Sequence, residues 1–98
     1  MAETPTDWTF LTNHAHVLFC IAQDPGIRLR DVAERVGVTE RAVQRIVSEL
    51  VGEGYITRQR QGRRNTYQVH DRLPLRHAIE HHCIVADLLR VILPMTRS

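Results

Sequence analysis

The stretch Leu29-Arg30-Asp31-Val32-Ala33-Glu34-Arg35-Val36-Gly37-Val38-Thr39-Glu40-Arg41-Ala42-Val43-Gln44-Arg45-Ile46-Val47 carries two apolar stripes in succession. Leu29, Val32, Ala33 and Val36 recur at i, i+3, i+4 and i+7, the spacing of one face of a short helix. Gly37 ends that helix as a left-handed residue that needs no Cβ. Thr39 follows as a helix cap, with Glu40 near the positive end of the next helix. Val43, Ile46, Val47, Leu50 and Val51 form the second, longer stripe, which runs to Gly52 or Glu53 and is closed by Gly54. A small residue where two helices cross (Ala33) and a glycine where the chain reverses are what a helix-turn-helix requires.

Upstream, Phe10, Leu11, Ala15, Val17, Leu18, Ile21 and Ala22 predict a helix over roughly residues 12–23, capped by Thr12 or Asn13. Asp24-Pro25-Gly26 stops it. Ile27-Arg28-Leu29 is too short for more than a bridge strand or an extended lead-in. Downstream the apolar period switches from 3.6 to 2. Residues 55–60 and 66–69 read as two strands, joined by a glycine-containing tip over Gln61-Gly62-Arg63-Arg64-Asn65. Pro74 sits at the mouth of a last helix, Leu75 to about Leu93, stopped by Pro94. The expected fold is mostly α with a small β-hairpin wing (α+β), in the order α-β-α-α-β-β-α. Residues 1–9 read as a flexible arm, 10–70 as a winged helix-turn-helix domain, and 71–98 as a C-terminal dimerisation helix packed on it.

A chain of 98 residues is one domain, too short for most enzyme scaffolds with a roofed pocket. No apolar run reaches the roughly 18 residues of a membrane span; the best candidate, Ile84 to Leu93, is broken by Asp87 and Arg90. The first residues lack the basic and apolar stretch of a signal peptide, so a cytoplasmic protein without membrane contact is expected. In that reducing setting Cys20 and Cys83 read as small core residues rather than a disulfide. The net charge of +2 hides an uneven distribution. Residues 1–26 hold three acids and no Arg or Lys, whereas 55–69 hold four Arg and no acid. All 13 basic residues are Arg, a bias that a high-GC coding sequence would produce. Its physical consequence remains: a guanidinium fork pairs bidentately with phosphate and with guanine edges.

The stretch Leu29–Val47 resembles the winged helix-turn-helix repressors of the MarR and ArsR kind, matching L-x-x-V-A-x-x-x-G-V-T-x-R-A-V-x-R-I-V. Glu49-Leu50-Val51-Gly52-Glu53-Gly54-Tyr55-Ile56 is similar to their exit from the recognition helix, and Arg58 to Tyr67 to their wing. Residues 11–18 are similar to small actinobacterial members. The resemblance covers residues 10–70 and implies a dimeric repressor bound to double-stranded DNA, with no cofactor.

In that architecture the recognition helix, about residues 39–53, enters the major groove. With Val43, Ile46, Val47 and Leu50 buried, Glu40, Arg41, Gln44, Arg45 and Ser48 face outward. Gln44 suits adenine, Arg41 or Arg45 suits guanine, and the Thr39 hydroxyl can bond a phosphate. The plainer reading is a solvated face in which the arginines pair with Glu40 or Glu49. Arg58, Arg60, Arg63, Arg64 and Asn65 would meet the minor groove and backbone; the plainer reading is a charged edge that resists aggregation. The last helix has more apolar residues than a small core uses, so Leu75, Ile79, Ala86, Leu89, Ile92 and Leu93 are expected at a homodimer interface.

The sequence also bears on two other function classes. His77 and His81, four apart on the expected last helix with Glu80 nearby, have a spacing that can hold zinc. That would make an ArsR-like metal-responsive sensor, but the usual Asp-x-His pair of such sensors is missing, and surface histidines are the plainer reading. A winged helix used only for protein–protein contact is the other, and the acid-free wing argues against it. No nucleophile elbow, P-loop or H-E-x-x-H is present, so no enzyme is expected.

Overall fold

A computed structural model describes residues 8–93. Helix α1 (Asn13–Gln23) lies at the centre, with Val17, Leu18, Phe19, Cys20 and Ile21 all buried. Thr12 caps it, its hydroxyl accepting the Ala15 N–H at 3.3 Å. The Asp24 carboxylate accepts the Gly26 N–H at 3.2 Å and turns the chain away. The segment that follows is an extended lead-in rather than a paired strand. Just before it, in the turn, Pro25 O accepts the Tyr67 N–H of the later hairpin at 3.1 Å.

Helix α2 (Leu29–Val36) ends at Gly37, whose φ of +90° is the left-handed cap expected there. Helix α3 (Glu40–Gly52) begins at Thr39, which accepts the Ala42 N–H at 3.0 Å. Val43, Ile46, Val47 and Leu50 of α3 are buried against α1 and α2 with Val32 and Ala33. Each buried aliphatic side chain contributes about 1.5–3 kcal/mol, against about 0–1 for a surface ion pair. The apolar stripe therefore sets which face of α3 turns outward.

Strands β1 (Ile56–Gln61) and β2 (Arg64–Val69) pair antiparallel, Ile56 opposite Val69 and Gln61 opposite Arg64. The ladder runs further than the expected five-residue tip allowed, leaving Gly62-Arg63 as the turn. Gly62 takes φ +64° while Arg63 does not, the pattern of a type II′ hairpin turn. At the wing's base Ile56 and Tyr67 enter the core; towards its tip every side chain is exposed.

The C-terminal part departs from the expected helix over Leu75 to Leu93. Only Val85–Ile92, here α4, is helical. Residues 75–83 are turns closed by an antiparallel bridge between Pro74 and Ile84. Val85 N–H donates to Leu73 O at 2.9 Å, and Leu75 N–H to Cys83 O at 3.0 Å. Ile79, His81, His82, Cys83 and Ile84 are weak helix formers, and the bridge carries Val85 into the core at 2% exposure. The Asp87 carboxylate then starts α4 by accepting the Ile84 N–H at 2.9 Å.

That correction undoes the shared helix face of His77 and His81. His77 instead accepts the Ile79 N–H on Nδ1 at 3.0 Å. Among the described residues no group of three or more His, Cys, Asp or Glu is placed to hold a metal ion. Leu75 and Leu89 pack on the chain's own core, Ala86 and Leu93 are half-buried, and Ile79 (80%) and Ile92 (41%) stay exposed, as does Val91 (80%). Cys20 is buried, Cys83 is partly so, and both are free thiols. Most of the expected arm (residues 1–7) and the expected stop at Pro94 lie outside the described residues. No described helix is long and apolar enough to cross a membrane.

Candidate nucleic-acid interface

Glu40, Arg41, Gln44, Arg45 and Ser48 are all exposed on α3. Arg41, Gln44 and Ser48 follow at i, i+3 and i+7, so they share one ridge of the helix. The side chains of Arg41 and Gln44 make no hydrogen bond or ion pair among the described residues. Thr39 uses its oxygen as an acceptor inside the cap, which leaves its own O–H free to donate.

Arg45 differs. Its Nη1 lies 3.5 Å from Oε2 of Glu49, one turn further on. Oε1 of the same carboxylate lies 2.6 Å from Nε2 of His14 on α1. A carboxylate only accepts, so the ring N–H donates. The His14 hydrogen bond holds the Glu49 carboxyl below the usual glutamate range; desolvation opposes it and the Arg45 charge adds to it. The i, i+4 pair is visible in the sequence; His14 is not, because its partner is 35 residues away.

On the wing, the register puts Arg58 and Arg60 on the face of Ile56, Asn65 and Tyr67, as strand alternation predicts. Arg60 Nε donates to Gly62 O at 3.1 Å, which braces the tip. Arg63 projects from the turn without a partner among the described residues. Arg64 does not project: its Nη2 donates to Gly26 O at 2.6 Å. A cleft of about 460 Å³ separates the wing from the start of α3, lined by Arg28, Glu40, Arg63, Arg64 and Asn65 among others. Arg28 was passed over in the sequence. Its signal was a basic residue directly before an uncapped helix start, where free N–H groups favour an anion.

The cleft thus brings Arg28, the first residue of α3 (Glu40) and the wing residues Arg63, Arg64 and Asn65 to one opening. Residues 12–57 match the family model described as winged helix-turn-helix DNA-binding, a family of DNA-binding modules rather than enzymes. The match begins at the α1 cap and ends inside the wing's first strand. No curated protein matches the chain. Among solved structures, the chain is similar to the zinc-dependent MarR family transcriptional regulator AdcR in its Zn(II)-bound state. The TM-score is 0.49 at 22% identity, over 72% of this chain and 50% of that one. The chain therefore spans about half the length of that regulator.

Proposed function

We propose that this protein is a sequence-specific double-stranded DNA-binding transcriptional regulator, acting as a dimeric repressor of the MarR-like or ArsR-like kind. The observation that carries the reading is the pairing of an outward α3 ridge with a wing that holds no acid. Arg41 and Gln44 point away from the core with no internal partner among the described residues, while the apolar stripe fixes the helix rotation. Inserted into a major groove, that ridge reaches base edges, where each base pair has its own donor and acceptor pattern. Arg58, Arg60 and Arg63 supply charge to the minor groove and backbone, which are nearly sequence-blind.

Exposed Ile79, Val91 and Ile92 support a dimer through the C-terminal segment, with Ala86 and Leu93 at its edge. Two copies would present their α3 helices about one DNA turn, roughly 34 Å, apart. If such a dimer neutralises about ten phosphates, the log–log salt slope of binding is roughly −9. A fluorescence titration of labelled genomic fragments at rising salt tests this. A steep negative slope supports the reading, and a slope near zero removes it.

A further inference from the structure

One charged cluster joins α1 to α3 beside the proposed DNA-reading face. Glu49 has one donor on each carboxylate oxygen, His14 at 2.6 Å and Arg45 at 3.5 Å. The three side chains are 50%, 43% and 61% exposed in that order, so solvent and ligand both reach them. Arg45 stands next to Gln44 on α3; while it is held by Glu49 it lies along its own helix.

We propose that His14 is a positioning residue for Arg45, acting through Glu49: the carboxylate competes with DNA for the guanidinium, and the charge on His14 sets how strongly it competes. The proposal rests on the DNA-binding reading above. A neutral imidazole donates a hydrogen bond and leaves the carboxylate its full negative charge, which holds Arg45 back. An imidazolium neutralises the carboxylate and releases Arg45 to a base edge or a phosphate. Histidine is the side chain that ordinarily changes charge between about pH 5 and pH 8.

Among the described residues the charged group that bonds His14 is Glu49 of α3, which in turn pairs with Arg45. Of the other elements packed on α1, Arg35 of α2 bonds Gln23, Arg64 of β2 bonds Gly26, and Asp87 and Arg90 of α4 pair with each other. His16, on α1 itself, is bonded to Asn13 Oδ1. Competition by a half-exposed ion pair is modest, roughly two- to fivefold in affinity.

The test uses the full chain and a duplex that the wild-type protein enriches from random-sequence DNA. Affinity is measured at about pH 8 and about pH 6 for wild type, His14→Gln, Arg45→Ala and the double variant, with melting curves to establish folding. The wild type should gain roughly two- to fivefold more affinity on acidification than His14→Gln. That difference should vanish when Arg45 is alanine, which a bare charge or a merely structural role of His14 would not produce. Glu49→Gln should bind more tightly at the higher pH and show no His14-dependent difference. A difference that persists without Arg45, or none in the wild type, overturns the proposal while leaving DNA binding intact. Failure of the wild type to bind any duplex overturns the DNA reading, and this proposal with it.

Discussion

Arg64 and Gly26 are joined by a 2.6 Å hydrogen bond from the guanidinium to the backbone carbonyl, which ties the wing to the loop between α1 and α2. Together with Tyr67 N–H on Pro25 O, it fixes the angle at which the hairpin leaves the core. Two adjacent arginines near one hairpin tip therefore differ in kind, Arg63 reaching outward and Arg64 reaching back.

Arg64→Ala should lower stability and Arg63→Ala should not. A hydrogen bond from a charged donor contributes about 1.5–3 kcal/mol when shielded; solvent screening at this exposed site brings it towards about 1 kcal/mol. In a domain of this size that is a Tm loss of about 4–8 °C. On DNA, Arg63→Ala should weaken specific and random duplexes alike and flatten the salt slope by about one per subunit. Thermal melts and titrations at several salt concentrations check both halves. Equal Tm values for the two variants would remove the division of roles.

Gln44→Ala should cost about 1–3 kcal/mol on a specific site and relax preference at one base position. The same change should leave binding to random DNA nearly untouched, because Gln44 carries no charge. A variant that loses affinity equally on both duplexes would show that the exposed α3 face does not read bases.

Gly37→Ala should destabilise through the backbone alone. At φ +90° a Cβ built on Gly37 meets nothing within 4 Å, so no steric repacking is involved. The left-handed conformation itself costs an L-residue roughly 1–2 kcal/mol. Denaturant unfolding should show that loss for alanine and a smaller one for asparagine, which tolerates this region. Equal stability of glycine and alanine would contradict the turn geometry between α2 and α3.

Much of this was legible because local rules and tertiary packing agree from Thr12 to Val69. Gly37 and Thr39 bracket a turn that the flanking stripes already demand, and the alternation of Ile56, Arg58 and Arg60 can place only one face inward. Past Asp71 they part. Leu75, Ala78, Ile79 and Cys83 have helical spacing, yet the chain folds back so that Val85 N–H bonds Leu73 O and Val85 is buried, while Ile79 stays exposed. Asp87, three residues after Ile84, was the local sign of the real helix start. Neither the Arg64–Gly26 bond nor the His14–Glu49 bond had any local sign. Their partners are 38 and 35 residues apart, and no periodicity encodes such a contact.

The His14–Glu49 bond has a pH signature of its own. Its Glu49 partner titrates below the usual glutamate range in the folded chain, chiefly because of the His14 hydrogen bond. A carboxyl with a lowered folded pKa contributes stability that is present above its unfolded value, about 4.3, and lost as pH falls through the lower folded value. Wild type should therefore melt above Glu49→Gln at neutral pH, and the two curves should converge in acid below that range. Curves that stay parallel into acid would show that Glu49 contributes nothing through its charge.

Selection of bound fragments from random-sequence DNA asks whether the α3 ridge reads a duplex as part of a symmetric pair. One motif should be enriched, made of two inverted half-sites centred about 10–10.5 base pairs, or a multiple of that, apart. The enriched bases should change when the selection is repeated with Gln44→Ala. A retained pool with no enriched motif, or one whose motif is indifferent to Gln44, would contradict it.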